Sequence, residues 1–259
     1  MAAVYTYDEL LTALRKAGLC AGDDVFVHSN IGFFGRLEGA SDSQELCSLF
    51  IKAILTVIGS KGTLIAPSFT YSFCHGIVFN PDTTPSQCGI LSEGLRARPT
   101  ALRSSDPNFS VVAEGENASY YIGSWSHEAF GAGSFWEKLL SQNGRIACFN
   151  FDCGSTFVHY VEHQNKVSYR YNKAFNGVYI SGGQRVRDYA VHYVYDTSRP
   201  QDGPCFTRLD EIVRQQPFCS TAHLGRGEIV SFPAAAYLEL ITEILKVRPR
   251  FLTREEEYE

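Results

Sequence analysis

Short runs with an unbroken apolar centre repeatedly give way in this chain to amphipathic stretches that close on glycine, and this alternation most restricts how it can fold. "DVFVHSN" (24–30), "GTLIAPSFTY" (62–71) and "RIACFNF" (145–151) are too short for helices. Their runs lack polar alternation, as expected of strands covered on both faces. Between them, Tyr7 to Ala17 stops at Gly18, and Asp42 to Ile58 stops at Gly59. The second stretch puts Leu46, Leu49, Phe50, Ala53, Ile54 and Val57 on one helical face. "SFWEKLLSQNG", Thr207 to Gln215 and Ala234 to Lys246 predict further helices, and Glu228 to Phe232 a strand. The reading is an α/β fold with a central mixed sheet and helices on both faces. "GVYISGGQRVRDYAVHYVYD" differs in kind: two alternating runs meet at Gly182-Gly183, which predicts an antiparallel hairpin extension near 176–195.

With 259 residues, 44% of them apolar, the chain can bury a sizeable core, and residues 1–259 are expected to form one domain. A net charge of −5, with no Lys/Arg cluster, excludes a nucleic-acid surface. The N-terminus shows no basic-then-apolar leader, and no apolar run nears the ~20 residues of a membrane span. A soluble cytosolic protein without a membrane partner is expected. Eight cysteines sit mostly inside apolar patterns with no C-x-x-C pair, so they read as reduced thiols and not as a zinc site. The tail "REEEYE" reads as a solvated end.

Three segments carry candidate chemistry. "DCGSTFVHYVEHQNK" contains H-x-x-E-H, the inverted zinc-peptidase pattern, in which His159 and His163 would share a metal and Glu162 would be the base. The same residues also suit a metal-free base at a helix start. "VHSNIGFFGRLEG" leaves His28, Ser29 and Asn30 at the end of a buried strand, where open α/β sheets bind ligands, although a strand-end turn reads equally well. Arg103 offers a rigid fork for phosphate or carboxylate, or is a solvated surface cation. Neither G-x-G-x-x-G nor a P-loop occurs. The aromatic loop 71–87 is long enough to be functional.

Taken in order, "VHSNIGFFGRLEG", "GTLIAPSFTYSF", "FNPDTTPSQCGILSEGLRARPTALRSSDPNFSVVAEG", "FGAGSFWEKLLSQNGRIACFNFDCGSTFVHYVEH" and "VSYRY" resemble the successive blocks of the aminoglycoside 3-N-acetyltransferase family, over about residues 5 to 180. The family moves an acyl group from coenzyme A to a sugar amine, and it includes members acting on amino sugars of polysaccharide pathways. The resemblance implies Thr156, His159 and Glu162 as its T-x-x-H-x-x-E block, with His159 catalytic and no metal. It places a coenzyme A pocket at His28, Ser29, Asn30, Phe33, Ser68, Arg103 and Ser110, and implies a homodimer. Asp106-Pro107 stands where antibiotic-modifying members tend to show His-Pro.

The expected chemistry is direct attack of an amine on acetyl-CoA, or a related short acyl-CoA. His159 is the general base, Glu162 or Asp152 supports the imidazolium, and Thr70 donates to the oxyanion. Tyr71, Asp82, Tyr169 and Arg170 are placed on the acceptor side. That side holds one carboxylate, Asp82, against Lys166, Arg170 and Lys173, which points to an amino sugar, nucleotide-linked, in glycan biosynthesis. The alternative is an aminoglycoside acceptor. Competing readings are an acyl-enzyme on Cys153, a coenzyme A-binding protein without turnover, and a zinc hydrolase.

Overall fold

A computed structural model describes residues 4–255. The expected solvated tail at Arg254–Glu259 therefore lies mostly outside the described residues. The strands are β1 Val4–Tyr5, β2 Asp24–Ser29, β3 Arg36–Leu37, β4 Thr63–Pro67, β5 Leu102–Arg103, β6 Val111–Gly115, β7 Arg145–Phe149, β8 Arg170–Ser181, β9 Gln184–Tyr195, β10 Ser220–Leu224 and β11 Gly227–Pro233. The helices are α1 Tyr7–Lys16, α2 Ser43–Ile58, α3 Ile90–Arg96, α4 Ala118–Ile122, α5 Phe135–Ser141, α6 Phe157–Gln164, α7 Thr207–Arg214 and α8 Ala234–Val247. Seven strands form one mixed sheet in the order β10-β11-β7-β2-β4-β6-β5. Its centre, β7-β2-β4, is parallel, and antiparallel strands flank it on both sides.

Local signals explain the helix ends. Thr6 and Glu9 close a reciprocal capping box on α1, with Thr6 N–H donating to Glu9 Oε2 at 2.7 Å. Asp42 caps α2 by accepting from Gln44 and Glu45 amides at 2.8 Å, and Gly59 ends it at φ +67°. Alternate residues of the central strands then feed opposite faces. Phe26, Ile65, Ile146 and Cys148 pack with α5, α6, α7 and α8, while Val25, Val27, Leu64 and Ala147 pack with α1, α2 and α3. The sheet is covered on both sides, as expected.

The hairpin is present but longer than expected: β8 starts at Arg170, because Asn172, Lys173 and Asn176 face solvent and mask the strand pattern. Gly182 (φ +55°) and Gly183 (φ +75°) make the turn, with both angles in the left-handed region that a primed turn requires. β9 is laced to the body through Ala129 N–H to Val191 O and Val191 N–H to His127 O, and Phe79 bonds to β8 in the same way. No helix among the described residues is long and apolar enough to cross a membrane. All eight cysteines are free thiols.

Candidate active site

The parallel strands β2 and β7 end side by side at Ser29 and Phe149, and the chain leaving β7 turns over their carboxyl ends into α6. Asn150 (φ +54°) secures this turn, donating to Asn30 O at 3.1 Å and accepting from Glu228 N–H at 2.9 Å. Asparagine tolerates that backbone conformation better than most side chains. Gly154 is required a few residues on, since a Cβ there would lie 2.5 Å from the Phe206 ring.

From this start α6 puts His159 and Glu162 one turn apart on the same face. His159 Nδ1 meets Glu162 Oε2 at 2.7 Å. Glu162 is wholly buried; Tyr169 Oη donates to its other oxygen at 3.0 Å, and Arg170 Nε lies 2.7 Å from Oε2 as an ion pair without hydrogen-bond alignment. Burial alone would raise the Glu162 carboxyl. His159 and Arg170 outweigh it and hold the group below the ordinary glutamate range. Burial lowers the His159 imidazole, and Arg170 adds to this against the upward pull of Glu162. The ring is thus neutral near pH 7 with its proton on Nδ1, and Nε2 has no protein partner among the described residues. Phe130, edge-on at 5.6 Å, and Phe206, at 6.2 Å, wall it in. A neutral imidazole backed by a buried carboxylate can take a proton through its open nitrogen.

The other expected residues fall into separate places. Asp152 accepts from Gly154 N–H at 2.8 Å and does not contact His159, so Glu162 is the histidine's carboxylate. Tyr169 and Arg170 are buried: Tyr169 Oη donates to Glu162, and Arg170 forms its ion pair with Glu162 and donates from Nη1 to the Tyr193 carbonyl. Both therefore pack behind the His159–Glu162 pair, and neither is exposed to solvent. Thr70 is also buried, donating to Pro107 O at 2.7 Å and accepting from Ser72 Oγ at 2.8 Å, which leaves no donor for an oxyanion. Tyr71, half-buried at φ +50°, joins the aromatic wall by packing edge-on against Phe109 at 5.4 Å, and Phe109 in turn contacts Phe130. Asp82 is exposed on the 80–84 turn.

Arg103 also departs from expectation. Its guanidinium donates to the carbonyls of Ser68 (2.8 Å), Pro81 (3.2 Å) and Thr84, and to Ser110 Oγ (3.2 Å), and it lies over the Phe79 ring. It staples the 79–84 loop to the end of β4, and Ser68 and Ser110 belong to the same buried staple. Four of the five donors expected to meet phosphate are already occupied. His28 and Ser29 lie at the strand end and Asn30 begins the next loop; Phe33 is half-exposed with Arg226 stacked on it at 4.9 Å. Together with Phe151, Asp152, Asp210, Arg214 and Glu228, these two line a cleft of about 470 Å³.

The competing sites fare differently. Cys153 is fully buried, its amide held by Asp210, and hydrogen bonding to Cys219 together with burial raises its thiol far above the usual range. It is neither accessible nor a thiolate. His163 turns away from the dyad against the Tyr193 ring at 5.0 Å, and among the described residues no three His, Cys, Asp or Glu side chains gather as metal ligands. Sequence reasoning missed Phe130, Phe206 and Arg226, whose spacing carries no motif.

The model of the aminoglycoside 3-N-acetyltransferase family matches residues 26–246. The chain is 22% identical to aminoglycoside N(3)-acetyltransferase III of Pseudomonas aeruginosa over 94% of each chain. It is 25% identical to aminoglycoside N(3)-acetyltransferase IX of Micromonospora chalcea over 67% of each. Among solved structures, the aminoglycoside acetyltransferase AAC(3)-Xa superposes with a TM-score of 0.81 at 22% identity over 93% of each chain. AAC-IIIb in a binary complex with CoASH superposes at 0.78 and 22% identity, over 95% of this chain and 98% of that one.

Proposed function

The chain belongs to the aminoglycoside 3-N-acetyltransferase family, and from that premise we propose that it acetylates an amine of an aminoglycoside-type sugar from acetyl-CoA, with His159 as general base. Its class is that of the family, the acyl-CoA-dependent N-acetyltransferases. The observation carrying the residue assignment is the open Nε2 of a neutral His159 whose other nitrogen is held by buried Glu162. A sugar ammonium first releases one proton to solvent; the neutral amine nitrogen then bonds to the thioester carbon and passes a second proton to Nε2. Collapse of the tetrahedral intermediate breaks the carbon–sulfur bond, and the departing thiolate takes the proton from His159 as CoA-SH. Glu162 stabilises the imidazolium in between, itself kept ionised by Arg170 and Tyr169. Thr156, at the start of α6 and with no capping bond, replaces Thr70 as the hydroxyl available to the oxyanion.

For acetyl-CoA we propose the cleft at Phe33 and Arg226 in place of the Arg103 staple. Two half-exposed rings, Phe33 and Phe151, suit a stacking base, and the terminal nitrogens of Arg226 make no bond among the described residues. Residues 1–259 act in this proposal as one catalytic domain.

A nucleotide-linked amino sugar is the second reading for the acceptor. It is favoured by exposed Lys166 and Lys173 against exposed Asp82 alone in the acceptor segments, although Arg170 drops out of that balance because it is buried on Glu162. A thiol-release assay with acetyl-CoA tests both. Turnover of kanamycin- or gentamicin-type amines supports the first, turnover confined to nucleotide-linked amino sugars supports the second, and thiol release from neither panel rejects both.

A further inference from the structure

The first turn of α6 is capped from another strand. Thr156, at the capping position, has helical angles (φ −52°, ψ −22°) and its hydroxyl makes no capping bond. Its backbone N–H instead donates to His28 Nε2 at the end of β2, across 3.3 Å. Ser155 Oγ lies 3.0 Å from the same nitrogen and accepts from Phe157 N–H at 3.4 Å. Val158 and His159 N–H bond back to the carbonyls of Ser155 and Thr156. All four leading amides are therefore satisfied, one of them directly by His28 and a second by a hydroxyl that His28 anchors.

This arrangement makes demands that few side chains meet. The N–H facing Nε2 requires a lone pair there, so the ring proton is on Nδ1. The ring must also reach from a sheet strand to a helix and stay uncharged beside the positive end of that helix. Burial lowers the imidazole to about 4, which keeps it neutral at working pH. The Phe26 ring, edge-on at 4.9 Å, fixes its plane. With its Nε2 lone pair spent inside the protein, His28 does not offer that atom to coenzyme A.

We infer that His28 is a positioning residue for acetyl transfer: it ties α6 to the sheet so that His159 Nε2 stays aimed at the acceptor, and it leaves the Thr156 hydroxyl free for the site. The inference rests on His159 being the base. His159 lies three residues beyond the amide that His28 holds, so a shift of the first turn carries the imidazole with it.

The test compares His28→Leu with His28→Gln, whose amide oxygen reaches about as far as Nε2 and accepts a hydrogen bond. His28→Leu is expected to cut kcat by about 10- to 100-fold, the cost of a small misplacement of a catalytic group, with KM for acetyl-CoA within about twofold. His28→Gln should recover turnover to within roughly threefold of the parent. An unchanged kcat with a raised KM for acetyl-CoA in His28→Leu overturns the inference, as does a glutamine variant no better than leucine. A second measurement needs no substrate: imidazole ¹⁵N spectra should show His28 Nε2 as an unprotonated acceptor and the His159 signals moved in His28→Leu but restored in His28→Gln. Unmoved His159 signals in His28→Leu overturn it. If His28→Leu does not fold, His28→Asn, too short to reach the Thr156 amide, takes its place. A parent protein that acetylates no amine refutes the proposed function, while the spectra still decide the role of His28.

Discussion

Replacing Glu162 by glutamine changes one atom type at the most constrained point of the site. The carboxylate is fully buried and takes His159 Nδ1 at 2.7 Å, Tyr169 Oη at 3.0 Å and the Arg170 ion pair at 2.7 Å. The amide keeps the shape but not the charge, so Arg170 remains buried without a counter-charge. Breaking such a pair costs about 3–5 kcal/mol. In a chain of this size that lowers Tm by roughly 6–20 °C. Catalysis should suffer separately. His159 is lowered by burial and Arg170 and raised by Glu162; in the variant only the lowering influences remain. The acid limb of kcat/KM should therefore move to lower pH, and the plateau should fall by roughly 10²- to 10³-fold as the base weakens and loses its orientation. Thermal unfolding and pH profiles of kcat/KM, measured well below the variant's Tm, separate the two effects. A variant with the parental acid limb and plateau would refute the assignment of Glu162 as the orienting carboxylate, whatever its Tm.

His159→Ala should lower kcat by about 10²- to 10⁴-fold and leave acetyl-CoA affinity near the parental value; calorimetry showing lost binding with intact kcat would contradict this. Arg103→Ala should cost on the order of 2–5 kcal/mol of stability in urea unfolding, by orphaning the Pro81 and Thr84 carbonyls, since Ser68 O and Ser110 Oγ still bond to each other. Arg226→Ala should instead raise the dissociation constant for coenzyme A, and the opposite pairing of effects would return Arg103 to the ligand. Acid should destabilise the fold, because burial lowers both His28 and His192 to about 4. A histidine lowered in the fold contributes its full stability above its ordinary value of 6.5 and loses it as pH falls toward 4. The difference of 2.5 pH units at 1.36 kcal/mol each amounts to about 3 kcal/mol per ring. Asp106, raised to about 6 by burial, runs the other way and returns part of that loss between pH 6 and 4. Urea midpoints that stay level or rise from pH 7 to 4.5 would contradict the sign.

The parts of the fold that were legible in the sequence are those where local and global preferences agree. α2 carries its own cap at Asp42, its own stop at Gly59 and one apolar face, and the Gly182-Gly183 turn needs left-handed angles that glycine supplies. β2, β4 and β7 each have an unbroken apolar centre (25–27, 64–66 and 146–149) because both faces are covered. β10 escaped notice because Ser220, Thr221 and His223 give it no apolar run, and its pairing to β11 makes it a strand. The division at the site is similar. Histidine and glutamate three apart on a helix share a face by helix geometry alone, so His159 and Glu162 follow from the order of residues. What the polar groups do was decided by tertiary contact. Arg103 is engaged by carbonyls 19 to 35 residues away, Thr70 by Pro107, 37 away, and His28 by an amide 128 away. A side chain's type shows what it can donate or accept. Whether that capacity is spent inside the protein or left for a ligand depends on which distant backbone groups folding brings within 3 Å or so, and no local pattern encodes that.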